Sequence, residues 1–141
     1  MSSEPLAQVY ILDSFALMAY LEGEVAGVQV TGILRQAAAG EAHIYFSLIN
    51  YGECLYIIER EQGLTKAQEM IAVVDQLPIE IASVDRLRIF AAAHRKAHYS
   101  LSYADAFVVG LAQEFNATVL TGDPEFRLVE NIISVRWLPQ S

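Results

Sequence analysis

Short apolar runs alternate along the chain with longer stretches whose apolar residues recur three or four positions apart. Gln8 to Leu12, QVYIL, reads as a short buried strand, and the SFALMAYLE that follows has helical composition with apolar spacing at Leu17, Tyr20 and Leu21. A second helix is predicted over Gly27 to Ala39, stopped by Gly40, ahead of a strand at His43 to Ser47. Leu48 to Gln62 and Thr65 to Gln76 predict a helix pair separated by Gly63, the second opening on a capping box at Thr65 and Gln68. Pro78 ends that section. Ile79 to Ser83 predicts a strand, Asp85 the cap of a helix to about His98, and Ser102 the cap of another to about Asn116. ATVLT, ending at Thr121, is the next strand, followed by a short helix at Pro124 to Leu128 and a last strand near Ile132 to Val135. Strands alternating with helices predict an α/β fold, with a mostly parallel sheet covered on both faces and right-handed crossovers.

Composition adds limits to this pattern. The 141 residues are 54% hydrophobic, enough for one compact domain with a sizeable core, and no repeat, low-complexity tract or Pro/Gly/Ser-rich linker marks an internal boundary. A single domain over residues 1–141 is therefore expected. Cys54 is the only cysteine, which excludes an internal disulfide framework and a multi-cysteine zinc site and suits a small core residue in a reducing cytosol. Met1 to Gln8 lacks the features of a signal peptide, and no apolar run approaches the ~20 residues that span a bilayer, so a cytoplasmic protein is expected. The net charge of −8 repels a phosphate backbone at long range unless cations gather locally.

Four acids stand where a core should not carry them. Asp13 and Asp123 each follow an apolar run, in VYILDS and TVLTGD, and ligands of open α/β sheets bind beyond the carboxyl ends of the strands. If those two strands are neighbours, their carboxylates share one rim. Asp105, in LSYADAF, falls on a helical face with Val108, Val109 and Ala112, and Glu53 shares a stripe with Ile49, Tyr56 and Ile57.

Each acid also has a structural reading. Asp123 before Pro124 looks like a helix cap with proline at the first helical position, Asp13 can cap the helix starting near Ser14, and Ser102 with Asp105 has the spacing of a capping-box variant. Glu53 can be a half-exposed helix acid whose stem grazes the apolar stripe. Four carboxylates meeting without a cation would raise one another's pKa at a cost of several kcal/mol. A divalent metal removes that conflict. All-oxygen ligands suit Mg²⁺ or Mn²⁺ and suit zinc poorly.

The order Asp13 in ILDSFALMAYL, Glu53 in NYGECLY, Asp105 in LSYADAFVVGLA and Asp123 in VLTGDPEF resembles a PIN domain, and within that family the toxin ribonucleases of VapBC toxin–antitoxin pairs. The resemblance covers nearly the whole chain. It implies a five-stranded parallel sheet, order 3-2-1-4-5, between helices. It also implies that the four acids bind Mg²⁺ or Mn²⁺, with Thr121 and Ser14 as hydrogen-bonding supports in the catalytic site. Gly52 fits the pattern less cleanly, since a glycine inside a helix costs ~1 kcal/mol against alanine and only close packing suggests itself as a reason.

The chemistry implied is phosphodiester hydrolysis by a metal-oriented water, with Asp105 or Asp123 as candidate proton acceptor and no side-chain nucleophile. Arg86, Arg88, Arg95 and Lys96, with His94 and His98, lie within one predicted helix and are candidate RNA-phosphate contacts; a solvated helix face, or cations placed at a helix C-terminus, explains them equally well. His94 and His98 also stand four apart, the spacing of a surface metal site.

By resemblance the chain would dimerise with a second copy and be held inactive by an antitoxin peptide across the acid rim. Leu17, Tyr20, Leu21, Tyr56 and Ile58 are candidate apolar surface for such a partner. Alternatives are a PIN nuclease of RNA processing and a catalytically silent PIN-like RNA-binding or interaction module, against which stands the presence of all four acids. A haloacid-dehalogenase-like phosphatase needs an Asp-x-Asp motif, which Ser14 and Phe15 after Asp13 do not supply.

Overall fold

The computed structural model describes residues 7–139. Most of the segment considered for a signal peptide lies outside that range. Strands β1 (Gln8–Leu12), β2 (Ala42–Ser47), β3 (Glu80–Ala82), β4 (Thr118–Thr121) and β5 (Ser134–Trp137) form one sheet in the order β3-β2-β1-β4-β5, and every pairing is parallel. Helices α1 (Ser14–Leu21), α2 (Val25–Ala38), α3 (Leu48–Gln62), α4 (Leu64–Val74), α5 (Arg86–His98) and α6 (Tyr103–Glu114) connect them, with a 3-10 helix at Pro124–Val129. The α/β architecture expected from the sequence, and the strand order implied by the resemblance, are those observed.

Alternation along the strands divides the core between two faces. Tyr10, Leu12, Ile44, Phe46 and Leu120 point to one side, where α1 to α4 bring Leu17, Val30, Ile33, Cys54, Ile58 and Met70. Ile11 and Val119 point to the other, against Val108, Val109 and Leu111 of α6 and Phe126 and Val129 of the 3-10 helix. Helix α5 lies outside α6 and buries only Ala92, which is why its sequence is so polar.

Several expectations change. The α4 capping box does not form: the helix begins at Leu64, Gly63 occupies the cap position with φ 93°, and Thr65 already sits inside the first turn. The second helix begins at Val25, and Gly27 within it approaches α1 so closely that a Cβ would lie 2.6 Å from the Ala19 carbonyl oxygen. The last strand is shifted two residues onward, because Ile132 and Ile133 turn back to donate their amides to the Val129 carbonyl. Of the residues expected to offer apolar surface to a partner, Leu17 and Ile58 are core, Tyr20 and Leu21 are partly buried, and Tyr56 is exposed. Gly52 is exposed with open space where a Cβ would stand, so packing within the chain does not explain it. Among the described residues no helix is long and apolar enough to cross a membrane.

Candidate active site

Strands β1 and β4 are neighbours with Leu12 opposite Leu120, so Asp13 and Thr121 leave the sheet side by side at its carboxyl edge. The Asp13 carboxylate is held at both oxygens: Oδ1 accepts from the Ala16 amide at 2.8 Å, capping α1, and Oδ2 accepts from the Thr121 hydroxyl. Thr121 Oγ1 in turn accepts from the Asp123 amide at 2.9 Å, and Asp123 Oδ1 caps the 3-10 helix through the Glu125 amide, also at 2.9 Å. The capping readings of Asp13 and Asp123 are those observed, and they do not exclude the site reading, since each carboxylate caps its helix on the rim where the other acids gather.

Asp105 enters from the first turn of α6. Its amide donates to Ser102 Oγ at 3.1 Å, half of the expected capping box. The other half is taken over: the Ser102 amide donates to Glu125 Oε1 at 2.6 Å, which leaves the Asp105 carboxyl within electrostatic reach of Asp13, Glu125 and Asp123. Glu53, half-buried on α3, accepts from Ser14 Oγ at the start of α1, and that oxygen accepts from Asn50 Nδ2 at 3.0 Å. The sheet edge therefore gathers Asp13, Asp123, Asp105 and Thr121, and Ser14 ties Glu53 to it.

The electrostatics follow from burial. Asp13 is 1% exposed, and desolvation pushes its carboxyl up to about 7 against the pull of the Thr121 and Ala16 donors, with the Asp123 charge adding to the rise. Asp105 is pushed up to about 8, first by burial, then by a hydrogen-bonding contact with the Glu125 carboxyl and by the charges of Asp13, Glu125 and Asp123. The buried Cys54 thiol is raised to about 12 by desolvation, with the Glu53 and Asp13 charges also acting on it. This thiol stays protonated and is a core group, as its sequence position suggested.

Such a donor set, oxygen throughout, fits a hard divalent cation, whose charge would reverse both upward shifts. Among the described residues no three His, Cys, Asp or Glu side chains already stand where they could hold one ion together. A hydrogen bond uses one lone pair of a carboxylate oxygen, so Asp13, held by Thr121 and Ala16, and Glu53, held by Ser14, could accept an ion while keeping those donors.

The PIN domain family pattern matches residues 10–132. The chain belongs to the PIN domain family. Solved structures similar to this PIN domain include VapBC2 from Rickettsia felis bound to a DNA fragment from its promoter, at TM-score 0.73 and 16% identity over 94% of this chain and 100% of that one. VapC20 from Mycobacterium tuberculosis, described as a sarcin-ricin loop cleaving toxin, is similar at TM-score 0.70 and 16% identity, over 92% of this chain and 99% of that one. DNA-bound VapBC from Salmonella typhimurium gives TM-score 0.70 at 13% identity, over 93% and 98%. At these identities the likeness is one of fold. A search of curated proteins found no match.

Two residues of this PIN domain site were missed in the sequence. Glu125 stands two positions beyond Asp123 and looks like an ordinary first-turn acid; its link to Ser102, 23 residues away, is visible only in three dimensions. Asn50 lies one helical turn before Glu53, a spacing that could have flagged it.

The basic helix is placed differently from the acids. Arg88 makes a two-pronged pair with Glu114 and also reaches Ser83, Arg95 meets Gln113, and Arg86 lies over the Phe90 ring. Glu114 ends α6 while Asp105 is in its first turn, about 13 Å apart along the axis by helical rise. Lys96 Nζ instead bonds the Leu101 carbonyl, next to the α6 cap. His94 and His98 are exposed and in edge contact with each other.

Proposed function

We propose that this PIN domain is a ribonuclease dependent on Mg²⁺ or Mn²⁺, of the kind that acts as the toxin of a VapBC-type pair. The observation that carries the reading is the meeting of Asp13, Asp105 and Asp123 at the carboxyl edge of a parallel sheet, two of them uncomfortable as anions without a cation. Asp13, Glu53, Asp105 and Asp123 are the residues that would hold the ion. Once bound, the ion supplies positive charge that lowers the pKa of an attacking water and offsets charge developing on the phosphate.

The chain's own groups set the geometry. Thr121 fixes Oδ2 of Asp13 and the backbone of Asp123 with one hydroxyl, and Ala16 fixes Oδ1, so the centre of the site is rigid before RNA arrives. Ser14 steadies Glu53 at its edge. Lys96, bound beside the α6 cap, is the best placed of the four candidate RNA contacts; Arg88 and Arg95 hold α5 to α6, and Arg86 stands with Phe90. An antitoxin covering the acid rim, dimerisation with a second copy and a cytoplasmic location belong to the same reading.

Cleavage of a labelled RNA pool by antitoxin-free protein, with Mn²⁺ or Mg²⁺, with EDTA and with Asp13→Asn as control, tests it. Cleavage abolished by both EDTA and the substitution supports the reading. Cleavage that survives either one assigns the activity to another site or a contaminant.

A further inference from the structure

Asn50 is fully buried, and its Oδ1 is the one buried side-chain polar atom without a hydrogen-bond partner among the described residues. A buried amide with an unmet acceptor destabilises a fold, and an apolar side chain of similar shape would avoid that cost. Its other end explains what the residue does. Asn50 Nδ2 donates to Ser14 Oγ at 3.0 Å, and Ser14 Oγ donates to Glu53 Oε1. A serine hydroxyl has one proton and rotates to suit its neighbours. With an amide N–H donating to one of its lone pairs, the Ser14 proton is directed away from Asn50 and onto Glu53. Without that amide, the hydroxyl is free to turn, and a half-buried Glu53 is free to swing toward water.

We propose that Asn50 is a positioning residue for the acid site, acting through Ser14 to hold the Glu53 carboxylate on the rim. The inference rests on the reading of Glu53 as a cation ligand and extends it inward by one layer. Asn50 touches neither substrate nor ion. Its place on α3, three residues before Glu53, puts both on one side of the helix against the start of α1. The amide orientation agrees with the network, because the reverse one would set the Asn50 oxygen against Ser14 and compete with Glu53 for its only proton.

The test is Mn²⁺ affinity by calorimetry together with thermal denaturation of the metal-free protein, for wild type, Asn50→Leu, Ser14→Ala and the double variant. Asn50→Leu is expected to weaken Mn²⁺ binding about tenfold, the scale of outer-shell substitutions, while metal-free melting is unchanged or raised. In the Ser14→Ala background it should add nothing further, because both substitutions break one relay. Unchanged Mn²⁺ affinity in Asn50→Leu, or additive losses in the double variant, overturns the proposal. Should the leucine not fold, Asn50→Ser is measured against the same two criteria. A wild type that binds no Mn²⁺ overturns the metal-site reading itself, whereas a wild type that binds and an Asn50→Leu that binds equally overturns only the role of Asn50.

Discussion

Thr121 Oγ1 donates to Asp13 Oδ2 across 108 residues of sequence and accepts the Asp123 amide from its own loop. One buried hydroxyl thus joins the acids that end β1 and follow β4. Thr121→Val keeps the shape and removes both bonds, leaving a buried carboxylate with one donor fewer. A stability loss of about 1–3 kcal/mol is expected, with the Asp13 carboxyl raised further because the Thr121 donor is what lowers it. Thermal denaturation measures the first effect, and an alkaline shift of the cleavage pH profile the second. Thr121→Ser, which keeps the hydroxyl, should show little of either.

The raised carboxyls make metal-free stability fall as pH rises. Asp13 and Asp105 have an ordinary value near 3.8 and folded values of about 7 and about 8, so between those limits the folded state holds protons that the unfolded chain has lost. The favourable contribution is complete below pH 4, declines through the interval and is gone above pH 8. Melting temperatures taken with EDTA from pH 5 to pH 8.5 should fall accordingly, and Asp105→Asn should flatten the decline. A profile just as steep in Asp105→Asn would place the titration elsewhere.

Millimolar Mn²⁺ should raise the melting temperature at pH 8 by an amount following RT ln(1 + [L]/Kd), and Asp105→Asn should shrink that gain. Equal gains in both proteins would remove Asp105 from the cation site. The gain in wild type should diminish toward pH 5, where Asp13 and Asp105 are protonated and the ion must displace those protons.

The alternation of apolar runs and helical stripes was sufficient to read most strands and helices, because β1, β2 and β4 are largely buried runs and α2, α3 and α4 each bury one stripe, whereas β5 has no fully buried residue and was placed two positions early. The acids were legible for the same reason: Asp13 and Asp105 interrupt apolar patterns with a charge that a core cannot hold unaided. What escaped depends on contacts between distant segments. Glu125 taking the Ser102 amide, and Asn50 ordering Ser14, require β4, α6, α1 and α3 to be brought together. The α5 cations were legible as a cluster, but nothing in their spacing tells that Arg88 answers Glu114 at the far end of α6.

Two glycines should respond in opposite directions. A Cβ on Gly122 would lie 2.4 Å from two carbons of the Phe15 ring, inside the segment that carries Thr121 and Asp123, so Gly122→Ala is expected to cost about 1–3 kcal/mol and to reduce cleavage. Gly52, helical, exposed and facing open space, should gain about 1 kcal/mol on becoming alanine. Urea denaturation of the two variants measures both.

Glu125 accepts the Ser102 amide, contacts the Asp105 carboxyl and carries a charge, and of these a glutamine must lose the charge. Its Oε1 accepts the Ser102 amide, a role open to the amide oxygen of Glu125→Gln. Its negative charge helps raise the Asp105 carboxyl, so the substitution should bring Asp105 part of the way back toward the ordinary range, burial remaining the larger cause. A smaller upward shift means a smaller loss of stability with rising pH. Glu125→Gln should therefore melt higher than wild type at pH 8 with EDTA and match it at pH 5, where Asp105 is protonated in both. Its Mn²⁺ gain at pH 8 should lie between those of wild type and Asp105→Asn, because one nearby charge is lost while Asp105, the proposed ligand, remains. Equal destabilisation at both pH values would mean that Glu125 serves the Ser102 cap alone, through a geometry glutamine does not reproduce.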